Sequence, residues 1–255
     1  MKTLLAAAFV ALLMVGWGEE EVQEEAKDDP RVPLLIPCEA CKKEVSQRSA
    51  ACLHCGNPTA DSVIEYKRLK EIAKNFTSDD GVEIKVRPLE NNDDKALLGF
   101  FKNLPQPELM FFKHRVTDPD VIKGWCENII LDVNLPLLAI DEGKIVAVAT
   151  LHQNKGGWKR HIGRVSCSVL PKYRQKGIAG KLVQELVDIA RMGGLQKVEA
   201  EFIDQQQGGQ KMFALLGFTH LVELEDYVQD MQAINHGYVL MGMDLKTDEE
   251  YAGMG

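Results

Sequence analysis

Two groups of residues in this sequence could do chemistry. The first is a basic loop that carries glycines, Arg174-Gln175-Lys176-Gly177-Ile178-Ala179-Gly180. The first turn of a helix has unpaired N–H groups and a partial positive charge, and both favour an anion. Gly177 and Gly180 lack a Cβ and Ala179 is nearly as small, so a phosphate can come close to the main chain. Lys172, Arg174, Lys176 and Lys181 add positive charge. The loop reads as a seat for a diphosphate. An ordinary strand-to-helix connection with solvated lysines uses the same residue types. The second group is Cys38-x-x-Cys41 with Cys52-x-x-Cys55, ten residues apart. Four thiolates can close a tetrahedral shell around Zn²⁺, and each C-x-x-C turn presents two sulfurs to one point. The segment is too short for a core of its own, so metal binding would supply its folding energy. Two disulfides or a redox pair are the competing uses of four cysteines.

The loop needs a strand before it and a helix after it, and the residue periods supply both. Val165, Cys167 and Val169 alternate with Ser166 and Ser168, the two-residue period of a strand. Pro171 ends that strand, because it has no N–H for a ladder. From Ile178 onwards Leu182, Leu186, Ile189 and Ala190, with Val183, form one apolar stripe of a helix. Upstream, Leu137–Ile140 and Ile145–Leu151 flank Asp141-Glu142-Gly143 as a hairpin. Val82 to Pro88 reads as a first strand of the same region. Asn92 and Asp93 can cap a helix that runs to Lys102, and Thr117 can cap another carrying Val121, Ile122, Trp125 and Ile129. Downstream, the expectation is a strand over Lys197 to Ile203, a helix over Gln210 to Leu216, and strands over Val222 to Val228 and Tyr238 to Leu245. The mixture is α/β.

R-x-x-G-x-A between an apolar strand and an amphipathic helix resembles the acyl-CoA loop of the GNAT acetyltransferase superfamily. The hairpin from Leu137 to His152 and the run Gln210-Lys211-Met212-Phe213-Ala214-Leu215-Leu216-Gly217-Phe218 agree with that resemblance, which covers roughly Val82 to Leu245. It implies a mixed, largely antiparallel central sheet flanked by helices, preceded here by a small zinc ribbon. The implied activity is transfer of an acetyl group from acetyl-CoA to an amine. Val169 and Leu170 would offer backbone groups to the pantetheine arm and thioester, and Gln175 to Gly180, with Arg174 before them, would take the diphosphate. Many superfamily members carry a tyrosine four residues ahead of the glycine that stands here as Gly217; this chain has Phe213. Many carry a carboxylate on the strand before the loop; this chain has Arg164 and Ser166. Glu201 is the carboxylate expected to act as base, directly or through a water, although an exposed strand residue is its plain alternative. Tyr227, Tyr238 and His236 are weaker candidates. Cys126 and Cys167 stand in apolar contexts and read as buried small hydrophobes. PCEACKKEVSQRSAACLHCGNP resembles a zinc ribbon, with Cys38, Cys41, Cys52 and Cys55 as the structural Zn²⁺ ligands and His54 a bystander.

The 255 residues leave room for one sizeable domain and small attachments. A net charge of −8 gives no general basic footprint, so no nucleic-acid partner is expected. Met1 to Gly18 pairs a lysine at position 2 with an apolar run from Leu4 to Val15, the build of a secretory signal or an apolar anchor. Met-Val-Gly-Trp-Gly resembles a bacterial lipoprotein signal with Trp17 in the place of the lipid-bearing cysteine. The expected organisation is a signal-like or anchor segment over 1–18, an acidic linker over 19–33, a zinc ribbon over 34–59, a connecting helix and turn over 60–81, the N-acetyltransferase domain over 82–246 and a tail over 247–255. Membrane association or export by the leader and a cytoplasmic location compete, since acetyl-CoA is a cytosolic metabolite and an oxidising compartment would favour disulfides. Three functions follow: an acyl-CoA-dependent N-acetyltransferase, a non-catalytic CoA-binding sensor or adaptor on the same fold, and a zinc-ribbon docking protein.

Overall fold

The computed structural model describes residues 35–46, 54–55, 75–154 and 156–245. The leader, the acidic stretch, Cys52, most of the helix expected before Phe76, and the tail lie outside the described residues. Among those described, no helix is long and apolar enough to cross a membrane.

Strands β1 (Leu35–Pro37) and β2 (Glu44–Ser46) form an antiparallel hairpin. Cys38 accepts from the Lys42 N–H at 2.8 Å and donates to the Lys43 carbonyl at 2.9 Å, so the first C-x-x-C is the hairpin's turn. Buried Val45 and Cys38 with Ile36 and Cys41 make its small apolar centre.

The main sheet has eight strands among the described residues. They are β3 (Phe76–Thr77), β4 (Glu83–Pro88), β5 (Asn134–Asp141), β6 (Lys144–Gln153), β7 (Ile162–Val169), β8 (Lys197–Ile203), β9 (Thr219–Gln229) and β10 (Asn235–Asp244). Their spatial order is β3-β4-β5-β6-β7-β8-β10-β9, and only β7 and β8 pair in parallel. A parallel pair needs a crossover, which is α4 (Ile178–Met192). Its expected stripe is buried: Ile178, Leu182, Val183, Leu186, Val187, Ile189 and Ala190 pack with Leu135, Leu137, Leu151 and Val165 of the sheet. Leu138, the neighbour of Leu137, belongs to a second cluster with Phe100, Phe101 and Ile122. Successive strand residues point to opposite faces, so helices cover both. The second cluster is carried by α1 (Asp94–Lys102) and α3 (Pro119–Glu127), with the single turn α2 (Gln106–Leu109) between them. Helix α5 (Gln207–Leu215) follows β8.

Three local expectations are corrected. Phe76, inside the connecting helix and turn expected over 60–81, pairs with Ile84 as a strand, and Lys181 Nζ lies 4.7 Å from its ring centre. Cross-strand pairing with β4 sets the conformation at Phe76, and pairing is not visible in the spacing of apolar residues along the chain. The cap of α3 is Asp118 rather than Thr117, and its carboxylate accepts from the Asp120 N–H at 3.0 Å. Proline prefers the first helical position, which puts the cap one residue before Pro119. Asp93 does stand at the N-cap of α1 but makes no capping bond. Its carboxylate is taken by Arg87, at 2.5 and 2.7 Å, and by the Glu90 N–H at 2.8 Å.

Candidate active site

The site begins where two strands separate. β7 pairs with β6 from Gly163 to Val169, but with β8 only at Ile162, Gly163 and Arg164. From Val165 onwards β7 therefore has an open edge on the β8 side. Which residues face it follows from register. The Leu170 N–H donates to the Val146 carbonyl at 2.9 Å. Hydrogen-bonded pairs alternate along an antiparallel ladder, so Ser166 and Ser168 turn their backbone groups to β6. Val165, Cys167 and Val169 turn theirs to the open edge. An extended acyl-bearing chain could be held there by backbone donors and acceptors.

Directly beyond the open edge, a 3₁₀ turn over Pro171–Tyr173 leads into the basic loop. The Tyr173 hydroxyl donates to Asp141 at 2.7 Å, which ties the turn to the end of β5. That bond to a carboxylate, with burial behind it, pushes the phenol up to about 12. Gln175 and Gly177 both have positive φ, 60° and 75°, and reverse the chain so that α4 starts at Ile178. Val169, Leu170 and the loop residues Arg174, Gln175, Lys176, Gly177, Ile178, Ala179 and Gly180 are thus brought to one end of β7 and the N-terminus of α4. Gly180 faces open space; a Cβ there meets nothing within 4 Å.

Three of the loop's four cations, however, already have partners. Arg174 donates to the Val169 carbonyl at 3.0 Å and to Glu108 of α2 at 2.8 Å. Lys176 pairs with Asp80 at 2.7 Å, and Lys181 donates to the Thr77 carbonyl at 2.9 Å. The Asp79 N–H donates to the Lys176 carbonyl at 3.1 Å. A Cβ on Gly177 would stand 2.7 Å from an Asp79 carboxylate oxygen. The turn Ser78-Asp79-Asp80-Gly81 is therefore an acidic strap lying against the loop. Its Thr-Ser-Asp-Asp-Gly composition reads as a turn, but nothing local says where it docks.

Glu201 lies on β8. It receives Arg164 at 3.0 Å and the Tyr238 hydroxyl at 3.3 Å. Burial and the Glu201 charge push the Tyr238 phenol up to about 12. Tyr227 stacks obliquely on Tyr238, ring centres 5.7 Å apart. Arg164 thus holds the expected base by an ion pair, and the Tyr238 hydroxyl donates to it. Phe213 is a core residue, edge-on to Phe202 and Phe218 at 5.1 and 4.9 Å. His236 pairs with Asp230 at 3.2 Å beneath Phe111, in the β9–β10 hairpin. Burial pushes the Cys167 thiol up to about 12 and the Cys126 thiol up to about 11, as befits inert packing residues. One group was missed from the sequence: Asn134, His152 and Ser166, from β5, β6 and β7, form a hydrogen-bonded row. Cross-strand register makes it, and register is invisible in a single chain read in order.

Away from this site, the Sγ atoms of Cys38, Cys41 and Cys55 lie within 4.8 Å of one another. Cys38 and Cys55 are 3.6 Å apart. Four sulfurs around zinc at about 2.3 Å stand about 3.8 Å apart, so these three fit that spacing. The fourth expected ligand, Cys52, lies outside the described residues.

Residues 100–218 match the Acetyltransferase (GNAT) family. The domain has the GNAT fold. Its architecture is similar to the GNAT domain of PAT from S. lividans, at TM-score 0.58 and 19% identity over 68% of this chain and 97% of that one. A ribosomal-protein-S5-alanine acetyltransferase from Vibrio fischeri superposes at 0.57, with 20% identity over 64% of this chain and 93% of its own. The yncA protein of Salmonella typhimurium, solved with its cofactor acetyl-CoA, superposes at 0.56, with 21% identity over 64% and 95%. In the GNAT domain the splayed β7–β8 edge, the basic loop and the start of α4 are contiguous, and the family match spans all three.

Proposed function

We propose that the GNAT domain transfers an acetyl group from acetyl-CoA to an amine. The observation that carries this reading is the parting of β7 from β8 directly above the loop that opens α4. The pantetheine arm would lie along the open edge, held by the backbone of Cys167 and Val169, with the diphosphate at the N–H groups of Gln175 to Gly180. The thioester carbonyl would meet a backbone N–H as charge builds on its oxygen. Glu201 would take a proton from the ammonium, which has no lone pair until then, and Tyr238 would stand by as acid. Zinc belongs to the same proposal as a structural ion: Cys38, Cys41, Cys52 and Cys55 would hold it, and its role would be to fold the hairpin segment. The apolar leader would bring the domain to a membrane.

Coenzyme A should raise the melting temperature of the protein, because a ligand bound only by the folded state stabilises it. Gly180→Glu should abolish the rise. The open space around Gly180 lets the fold accept the side chain, while its carboxylate occupies the anion seat. No shift of wild type at millimolar CoA would overturn the reading. CoA release over small amines, polyamines and peptide N-termini then finds the acceptor. Release that persists in Glu201→Gln would remove Glu201 from the base role.

A second reading is a CoA-binding adaptor without turnover. The Arg164–Glu201 pair and the core position of Phe213 favour it. A CoA-dependent thermal shift with no CoA release across that panel would select it.

A further inference from the structure

The loop between β6 and β7 contains Gly156-Gly157-Trp158-Lys159-Arg160, and the acyl-transfer reading makes no use of it. Gly157 has positive φ, 78°, and its carbonyl accepts from the Arg160 N–H at 3.3 Å. The turn leaves the Trp158 side chain 89% exposed. Tryptophan is highly buried on average, so a turn that holds one in solvent calls for a cause.

Trp158 has apolar company at its end of the sheet. β6 ends at Gln153 and β7 starts at Ile162, while their outer neighbours β5 and β8 start at Asn134 and Lys197. Ile130 lies just ahead of β5, and its carbonyl accepts from the Asn134 N–H at 2.9 Å. Met192 ends α4, just ahead of β8. Both are exposed, at 56% and 57%. Three strand spacings of about 4.8 Å separate β5 from β8, so the three apolar side chains are spread along roughly 14 Å of one sheet end.

The charge around the tryptophan has one sign. No Asp or Glu stands between Glu142 and Glu185, and Lys155, Lys159 and Arg160 flank Trp158 in a chain of net charge −8. Lys159 pairs with Glu199 at 3.4 Å. Arg160 donates to the Gly157 carbonyl at 3.3 Å and makes no ion pair among the described residues. An indole settles at the boundary between water and acyl chains, and neighbouring cations meet anionic headgroups. Nucleic acid also takes an exposed ring with cations, but Ile130 and Met192 offer no stacking face and the chain is acidic.

We propose that this end of the sheet, with Trp158 at its tip, docks on an anionic lipid bilayer. The proposal rests neither on the donor reading nor on the apolar leader. From Ile162 to Val169, β7 spans about 23 Å away from the bilayer. The open edge and the basic loop then face water.

The chain has three tryptophans, Trp17, Trp125 and Trp158. Trp125 is edge-on to Phe101 and His114, with ring centres 6.1 and 5.8 Å away. In full-length Trp17→Phe, indole emission therefore reports Trp158 over a packed background. Vesicles of phosphatidylglycerol and phosphatidylcholine should shift that emission to the blue, and lipids brominated on the acyl chain should quench it. Both signals should vanish when Trp158→Ser is added. Arg160→Ala should raise the lipid concentration at half-maximal shift about fivefold, and added salt should raise it further. Melting temperatures equal to that of Trp17→Phe report that the variants are folded. The absence of a blue shift, an equal shift with phosphatidylcholine alone, quenching that survives Trp158→Ser, or an unchanged midpoint in Arg160→Ala would each overturn the proposal. Sedimentation with vesicles while the Trp158 emission stays unmoved would assign the binding to the leader instead. A shift with single-stranded DNA and none with vesicles would make the surface a nucleic-acid site and overturn the bilayer. The CoA-dependent thermal shift is read separately, so none of these results decides the donor.

Discussion

Asp93 shows how a single side chain can serve a tertiary partner rather than its own helix. Burial pushes its carboxyl up, but Arg87's hydrogen bonds, the Glu90 N–H and the Arg87 charge more than offset that and hold it below the usual carboxylate range. Its side chain is 7% exposed and that of Arg87 20%. Asp93→Ala removes the two short bonds of the guanidinium and leaves it Glu90 at 3.8 Å and the Pro88 carbonyl at 3.0 Å. The expected cost is about 2 kcal/mol at neutral pH, below the range for a fully buried pair because Arg87 keeps some water. A carboxyl whose pKa is lower in the folded state contributes stability above its unfolded value of about 3.9, and that contribution is lost as pH falls through the folded value. Urea midpoints of wild type and variant should therefore differ at pH 7 and converge below pH 4. A constant difference across that range would put the cost in packing instead. The residue types of the loop were legible because anion binding by a helix start is local chemistry. The partners of Glu201 and His152 were not, because each comes from another strand; those of Asp93 lie within six residues, but an aspartate ahead of a helix reads first as its cap.

The same contrast holds for whole elements. The strand Lys197–Ile203 and the start of α4 at Ile178 are read from the sequence at their observed bounds, since Gly177 and the periods on either side punctuate them. The two-residue strand at Phe76 could not be, because only its pairing with β4 defines it. That short strand matters: it delivers the acidic strap to the basic loop. Asp79 and the diphosphate of a donor would then be neighbours of like charge. Asp79→Asn keeps the shape of the side chain and removes the charge. It should tighten CoA binding roughly fivefold, about 1 kcal/mol for charges a few ångströms apart near water. The gain should shrink as salt rises, because exposed charges are screened. Titration calorimetry at two ionic strengths measures both. Unchanged affinity would mean that the strap lies beside the seat without facing it.

At the scale of the whole molecule, the cysteine hairpin and the main sheet differ in the apolar surface they bury among the described residues. The sheet has two large apolar clusters, and none of their residues belongs to the hairpin. Among the described residues the hairpin's own cluster has Cys38 and Val45 buried, little apolar surface to set against the chain entropy of ordering it. A metal held by the sulfurs would supply the difference, as structural zinc does in small domains. The purified protein should then carry one zinc per chain. Cys38→Ser should lose it, and a strong chelator should remove it from wild type with release of thiols to a colorimetric reagent. The CoA-dependent thermal shift should survive both treatments, because the open edge and the loop are built on the sheet. Elemental analysis with a thiol count and the melting curve on the same sample decide the matter. Four sulfurs recovered as two disulfides would overturn the zinc assignment. Loss of the CoA-dependent shift on chelation would overturn the independence of the two parts.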